Sequence, residues 1–350
     1  AGDCGEKIFR EIHNNLSLSY RIAGFLDDNR NKIGRKIHGV PVLGKISEIS
    51  AAIDKVKADE ALIAIPSATG EQMRAIVEYC KASELPFKTV PGYGELINGK
   101  VSVKAIRDVA YQDLLGREVV KLDEKGIEAY IKGNNVLVTG AGGSIGSELC
   151  RQICLFNPGK IILYERAESP LFEIELELKR NYKNIPIVSI LGDIQDQAHL
   201  RKSFEAHCPQ TVFHAAAYKH VPMLELQPWK AFENNVIGTA NLLDISLNTN
   251  VDHFVFVSTD KAVRPTNIMG ASKRVAEMLI QCQDHDQISE TKFAIVRFGN
   301  VVGSVGSVVP LFKKQIELGG PVTVTHPDVT RYFMTIPEAC QLILQAGALC

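Results

Sequence analysis

The sequence contains no apolar run of about 18 residues, the length a membrane helix requires, and no charged-then-apolar leader. These absences exclude a spanning segment and an export signal within the chain as written. Its eight cysteines (Cys4, Cys80, Cys150, Cys154, Cys208, Cys282, Cys340 and Cys350) form no C-x-x-C pair, which argues against a zinc site or a disulfide framework and fits a reducing cytoplasm. No metal is expected. Charge of one sign is lacking too: 39 Lys and Arg stand against 40 Asp and Glu, so no basic field favours nucleic acid or an anionic membrane. Tryptophan occurs once, at Trp229 beside Pro228, where packing at a helix start is expected. There is no internal repeat, and no initial methionine. The chain opens at Ala1 and stops at Cys350 just after a helical pattern, which reads as a piece of a longer protein.

What remains is the composition of a soluble globular protein, 45% hydrophobic and 23% charged, and 350 residues at roughly 150 per domain predict two domains. In residues 1–100, short apolar runs alternate with amphipathic stretches. Tyr20 to Leu26, Ala61 to Ile65 and Phe87 to Val90 read as strands, and Glu6 to Asn14 and Gly70 to Ser83 as helices. Gly2 and Gly5 resemble the tail of a glycine turn whose strand lies before residue 1, so a small Rossmann-like domain lacking its first strand is expected. Residues 101–133 are charged, with the apolar spacing of short helices, and read as a connector.

From Asn134 the alternation is regular to residue 350. Strands are expected at Val136 to Val138, Lys160 to Tyr164, Ile187 to Ile190, Thr211 to His214, Phe254 to Ser258 and Phe293 to Phe298, separated by helices. The expected fold class is therefore α/β, a doubly wound parallel sheet preceded by a second, smaller domain. Asn135 to Gly146 is an apolar strand, a glycine turn and a helix start. Gly140 permits the turn, Gly143 lets backbone approach a pyrophosphate, Gly146 lets helix pack on strand, and Ser144 and Ile145 open the helix whose N-terminus faces the anion. The spacing is G-x-x-G-x-x-G. Nineteen residues after Gly146, Glu165 ends the next strand, where a carboxylate accepts hydrogen bonds from an adenosine ribose; this favours NAD, whereas the adjacent Arg166 would suit the 2′-phosphate of NADP. Asp193 and Ile194 follow the third strand at the place for the adenine, although Asp193 could instead cap a helix with Asp196. Ala215 and Ala216 end the fourth strand with small side chains that let a dinucleotide lie against backbone, beside a His214 that could simply be core.

Ligands of open α/β sheets bind beyond the carboxyl ends of the strands. Thr259-Asp260-Lys261 occupies that place after the fifth strand, and Met269 and Lys273 share one face of the following helix. With Thr139 to Gly146, Tyr218-Lys219-His220-Val221-Pro222, Asn234-Asn235-Val-Ile-Gly238-Thr239, Arg297-Phe-Gly-Asn300-Val and Arg331-Tyr332-Phe333-Met334, the second domain resembles an extended short-chain dehydrogenase/reductase. Within that superfamily the chain is similar to the large bacterial nucleotide-sugar 4,6-dehydratases of the UDP-N-acetylglucosamine type, which serve polysaccharide biosynthesis. The likeness extends to Leu26-Asp27-Asp28 and His38-Gly39-Val40-Pro41 of the first domain. Where the superfamily has Y-x-x-x-K, this sequence has Met269-x-x-x-Lys273, as the large dehydratases do, and a thioether exchanges no proton.

The resemblance implies oxidation of a sugar at C4 by NAD, loss of water across C5 and C6, and return of the hydride to C6. Elimination needs a base at C5 and an acid at the C6 hydroxyl. It implies Asp260 as the acid, Lys261 as the base, Thr259 at the C4 hydroxyl and Lys273 at the nicotinamide ribose. A protonated carboxyl and a neutral amine are required, against reference pKa values of about 3.9 and 10.4; burial pushes both groups that way and an ion pair pushes both the other way. The resemblance further implies Lys219 and His220 near the sugar, Asn300 near the diphosphate and Arg331 on a phosphate. It also implies a UDP-sugar substrate, a homo-oligomer, and membrane association only through segments preceding the first domain and absent here. A nucleotide-sugar epimerase, a C5-inverting dehydratase and a non-catalytic nucleotide sensor are the alternative readings.

Overall fold

The computed structural model describes residues 2–15, 20–90, 106–109, 122–285, 290–304, 306–324, 326, 328 and 330–350. The chain divides into two compact units, Ala1–Val120 and Lys121–Cys350. The first holds α1 (Asp3–Asn14), β1 (Phe25–Leu26), β2 (Lys36–Ile37), β3 (Val40–Gly44), α2 (Ile49–Val56), β4 (Ala61–Ile63), α3 (Gly70–Ala82) and β5 (Phe87–Thr89). β1 pairs in parallel with β3, β3 antiparallel with β2, and β4 in parallel with β5. The expected strand from Tyr20 shrinks to Phe25–Leu26. The β2–β3 hairpin and α2 were not expected. The hairpin turns at His38 and Gly39, both at positive φ (+47° and +83°), the backbone that a two-residue turn between twisted strands requires. Such strands are too short to leave a period-2 pattern.

The second unit opens with α4 (Glu124–Ile131), whose Ile127, Tyr130 and Ile131 are buried in its core. The sequence reading placed 101–133 in a connector; α4 belongs to the second unit because its apolar face has a partner there, α13 (Ile336–Ala348), with Tyr130 Oη donating to the Leu344 carbonyl at 2.7 Å. Positions 101–105 and 110–121 of that expected connector lie outside the described residues.

Six strands form the sheet: β6 (Asn135–Thr139), β7 (Lys160–Glu165), β8 (Ile187–Leu191), β9 (Thr211–His214), β10 (His253–Thr259) and β11 (Lys292–Phe298). Their order is β11-β10-β9-β6-β7-β8, every pair parallel, which is the doubly wound arrangement read from the sequence. Side chains alternate across it. Val136, Val138, Ile161, Leu163, Phe213 and Val255 enter one core with α4, α5 (Ser144–Leu155), α6 (Glu168–Asn181) and α13. Leu137, Ile162, Tyr164, Val212, Phe254 and Phe256 enter the other with α7 (Gln197–His207), α10 (Gly238–Asn248) and α11 (Ile268–His285). Both faces are covered, which is why these strands read as continuous apolar runs. Leu149, Cys150, Ile153 and Cys154 of α5 are all buried.

Between β9 and α10 run α8 (Val221–Leu226), α9 (Pro228–Ala231) and a π-helical turn at Phe232–Ile237. Trp229 does not pack here; it is 56% exposed, because α9 is a single turn with its buried side taken by Ala231. After β11 the chain forms β12 (Asn300–Val301), α12 (Val308–Glu317) and β13 (Phe333–Met334), with β12 and β13 paired in parallel. Among the described residues no helix is long and apolar enough to cross a membrane.

Candidate active site

The glycine turn sits between the end of β6 and α5. Gly140 has φ +67°, and a Cβ there would lie 2.8 Å from the backbone of Ala216. A Cβ at Gly146 would lie 1.9 Å from the Gly140 carbonyl oxygen, so only glycine lets α5 start this close to the strand. Gly143 is the N-cap of α5 and provides no side-chain cap, leaving Ser144, Ile145 and Gly146 as a helix start presented by backbone.

At the end of β7, Glu165 accepts hydrogen bonds from the amides of Gly142 (3.1 Å), Arg166 and Ala167 (both 2.9 Å). Its carboxylate therefore stands at the mouth of the glycine turn. Arg166, Ala167, Leu191, Gly192 and Asp193 line an open depression of about 460 Å³ beside it. Asp193 takes the Gln195 amide at 2.9 Å, while the cap of α7 is Asp196, accepting from His199 at 3.0 Å; the two aspartates have separate roles. Arg166 lies over the Tyr218 ring at 4.4 Å and faces Asp193 at 3.7 Å. Ile194 is buried against the place where Gly238 lacks a side chain.

His214 is a core residue. It is buried between Thr139 Oγ1 (2.7 Å from Nδ1) and Thr239 Oγ1 (2.9 Å from Nε2). Thr239 gives its hydroxyl proton to the Asn235 carbonyl, so His214 donates from Nε2 and accepts at Nδ1, which fixes the neutral tautomer. Burial, aided by the charge of Lys273, holds its pKa well below the usual histidine value. An unfolded histidine titrates near about 6.5, so below that pH the unfolded chain binds a proton that folded His214 refuses, and stability falls by up to about 1.4 kcal/mol per pH unit. Thermal unfolding between neutral and acidic pH should show this loss, and His214→Asn should flatten the slope in that window; an unchanged slope in the variant would assign the loss to other groups.

Beyond β10, Thr259 Oγ1 donates to Asp260 Oδ1 at 3.0 Å and Lys261 Nζ donates to the same oxygen at 3.0 Å. Lys261 Nζ also donates to Asn300 Oδ1 at 3.1 Å. The Lys261 and Asp260 side chains are 31% and 42% exposed, an ion pair open to an incoming ligand. Gly270 lets α11 pass: a Cβ there would lie 2.2 Å from the Lys261 carbonyl oxygen. Met269 is buried with Leu224 and Ala231, a packing residue where the superfamily keeps a tyrosine. Lys273 is buried with its Nζ 3.8 Å from the centroid of the Phe256 ring, and among the described residues its ammonium has no hydrogen-bond acceptor. Burial, partly opposed by Glu277, brings its pKa down to about 7.

Of the expected substrate residues, Lys219 reaches Ser304 Oγ at 3.5 Å, and desolvation pushes its amine down. His220 abuts Gly306, where a Cβ would meet the imidazole at 2.5 Å. Asn300 is engaged with Lys261 and, by register, lies opposite Phe333. Arg331 is exposed, its guanidinium on the Thr330 carbonyl at 2.8 Å, and the carbonyl of the next residue, Tyr332, accepts the Asn300 amide at 3.0 Å.

Two features were not assigned a role in the sequence: Asn235, read there only as part of a motif, and Glu277, not singled out at all. Asn235 holds Tyr218 by both backbone groups, accepting from its amide at 2.8 Å and donating to its carbonyl at 3.0 Å, and also donates to Ser272. It lies on the π-helical turn, which period-3.6 reading does not register. Glu277 is fully buried, accepting from Ser258 Oγ (2.6 Å), Arg297 (2.8 and 2.5 Å) and Arg274 (3.0 Å). The signal was available: positions 269, 273, 276, 277 and 280 share the buried stripe of α11, and two of them are charged.

Residues 136–350 match the family described as polysaccharide biosynthesis protein, and residues 1–91 match a CoA-binding domain family. The whole chain is 45% identical over 350 residues to the probable polysaccharide biosynthesis protein EpsC of Bacillus subtilis, of which it covers 58%. About three fifths of the chain is similar to two further proteins. It is 34% identical over 215 residues to the inverting UDP-N-acetylglucosamine 4,6-dehydratase of Campylobacter jejuni serotype O:23/36, covering 61% of this chain and 63% of that protein. It is 35% identical over 216 residues to the UDP-glucose 4-epimerase of Rickettsia rickettsii, covering 60% and 62%. The chain thus spans less than two thirds of each of these relatives. With its second unit matched from β6 to Cys350, the chain belongs to the polysaccharide biosynthesis protein family.

Proposed function

We propose that the second unit is an NAD-dependent 4,6-dehydratase of a UDP-N-acetylhexosamine, UDP-N-acetylglucosamine foremost. The observation that carries the reading is the hydrogen-bonded run Thr259–Asp260–Lys261–Asn300 at the carboxyl end of the sheet, next to a helix with Met269 in the place of a tyrosine base.

Two features support the dinucleotide. The cradle of Gly140, Gly143 and Gly146 leaves no room for side chains at 140 and 146, and Lys273 is a buried residue whose Nζ lies over the Phe256 ring with no hydrogen-bond acceptor among the described residues, the partner that ribose hydroxyls would supply. Arg166 is engaged with Tyr218 and Asp193, and a 2′-phosphate placed there would meet the carboxylates of Glu165 and Asp193, which supports NAD over NADP. When bound, NAD would accept a hydride from C4 and return it to C6.

The chain's own residues handle the protons. Thr259 passes the C4 hydroxyl proton to Asp260 Oδ1, its present hydrogen-bond acceptor, as C4 is oxidised. Lys261, once it has released to solvent the proton of its ion pair with Asp260, takes the C5 proton. Asp260 gives its proton to the departing C6 hydroxyl, which leaves as water. Lys261 then returns a proton to C5 as C6 is reduced, and both side chains end as they began. Lys219, His220 and Asn300 would border the sugar and diphosphate, with Arg331 reaching a phosphate from its exposed position.

An epimerase reading draws on the equally similar Rickettsia protein. Epimerisation at C4 shares the oxidation step, in which Thr259 and Asp260 take the hydroxyl proton, but it needs no base at C5 and no acid at the C6 hydroxyl, and Lys261 would then be without a task. Product NMR separates the two: a C6 methyl beside a C4 ketone supports dehydration and reports C5 configuration, whereas an inverted C4 carbinol would replace this proposal with epimerisation. A sensor that binds without turnover would leave the sugar unchanged.

A further inference from the structure

Glu277 is the most completely satisfied buried charge of the second unit that the proposed proton path does not use. It sits on α11 one turn after Lys273, and its carboxylate draws together three elements: Ser258 at the end of β10, Arg297 on β11, and Arg274 on its own helix. Each leads directly to a site residue. Ser258 immediately precedes Thr259-Asp260-Lys261, Arg297 lies three residues before Asn300, and α11 carries Lys273.

We propose that Glu277 is a positioning residue, a buried clamp that fixes the ends of β10 and β11 against α11 and sets Lys273 for the ribose of a bound dinucleotide. This rests on the NAD reading above. A surface pair at i and i+3, such as Arg274 and Glu277 would make, is exposed and worth little, but here the carboxylate is fully buried and four donor contacts from Ser258, Arg274 and Arg297 hold it. Burial alone would raise the Glu277 carboxyl; the hydrogen bonds from Arg297, Ser258 and Arg274 outweigh that and keep it ionised. The groups around Lys273 are Glu277 and Arg274 on its own helix, the Phe256 ring and Ser258 on β10, neutral His214 on β9 and Arg297 on β11. Glu277 is the only anion among those named. Its charge opposes the burial that strips Lys273 of its proton.

The test is NAD affinity by calorimetry as a function of pH, for the wild-type chain and Glu277→Gln, with circular dichroism melts in parallel. The wild type should bind NAD more weakly as pH rises through the neutral range, where Lys273 loses its proton. Glu277→Gln should bind about tenfold more weakly near neutrality, with the fall moved to lower pH, a shift that loss of packing alone does not produce. A folded Glu277→Gln with wild-type affinity and pH profile overturns the inference. If that variant does not fold, Ser258→Ala is the second arm: it leaves the arginine contacts and should weaken NAD about threefold, and wild-type affinity there overturns the inference equally. Wild-type chain that binds no NAD at any pH overturns the NAD reading, and this inference with it.

Discussion

Lys261→Ala abolishes proton exchange at C5. In deuterated water with UDP-N-acetylglucosamine and NAD, the variant should incorporate deuterium at C5 at least about 100-fold more slowly than the wild type, the range removed with a general base. NAD binding should survive, because Lys261 stands beyond β10, on Asp260 and Asn300, while the cradle lies beyond β6. Asp260→Asn should behave differently. It keeps the shape but cannot receive a proton through Thr259, so C4 oxidation and water loss should both fail. Full C5 exchange in Lys261→Ala would remove Lys261 as the base and require another group.

Gly146→Ala and Gly143→Ala separate fold from binding within one loop. At 146 the new Cβ lies 1.9 Å from a carbonyl oxygen that belongs to the turn itself, so α5 must move off the strand. Overpacking of this kind costs about 3 kcal/mol, and the melting temperature should fall with NAD affinity. At 143 the nearest atom is the same oxygen at 3.2 Å and φ is −72°, a conformation that alanine adopts freely. The fold should therefore persist while NAD affinity drops about tenfold or more, because the added methyl stands where a pyrophosphate would approach the helix start. Calorimetric melts with and without NAD distinguish them. Equal loss of stability in both variants would mean that Gly143 serves packing, not a ligand.

The sheet was legible because burial on both faces puts a run of two to four consecutive apolar residues into each strand, with glycine turns as punctuation; Val136 to Val138 and Phe254 to Ser258 could be placed within a residue or two. The site was legible where position in the fold dictates chemistry: the glycine loop, Glu165 at a strand end, Thr259 to Lys261 beyond another. What escaped depends on contacts between elements distant in sequence. Glu277 reads as an ordinary helix carboxylate until Arg297 and Ser258 are brought to it, and the hydrogen bond from Lys261 to Asn300 joins two motifs that lie 39 residues apart in sequence. The first unit was the least legible, because β1 and β2 are two residues each and carry almost no periodicity.

The central claim is an internal redox dehydration, and the mass of the product tests it most directly. The purified chain is incubated with UDP-N-acetylglucosamine and catalytic NAD, and the sugar nucleotide is followed by mass spectrometry while NADH is monitored. Loss of one water from the sugar with no net NADH is the predicted result. A sugar nucleotide of unchanged mass, from protein shown to be folded and NAD-bound, would contradict it.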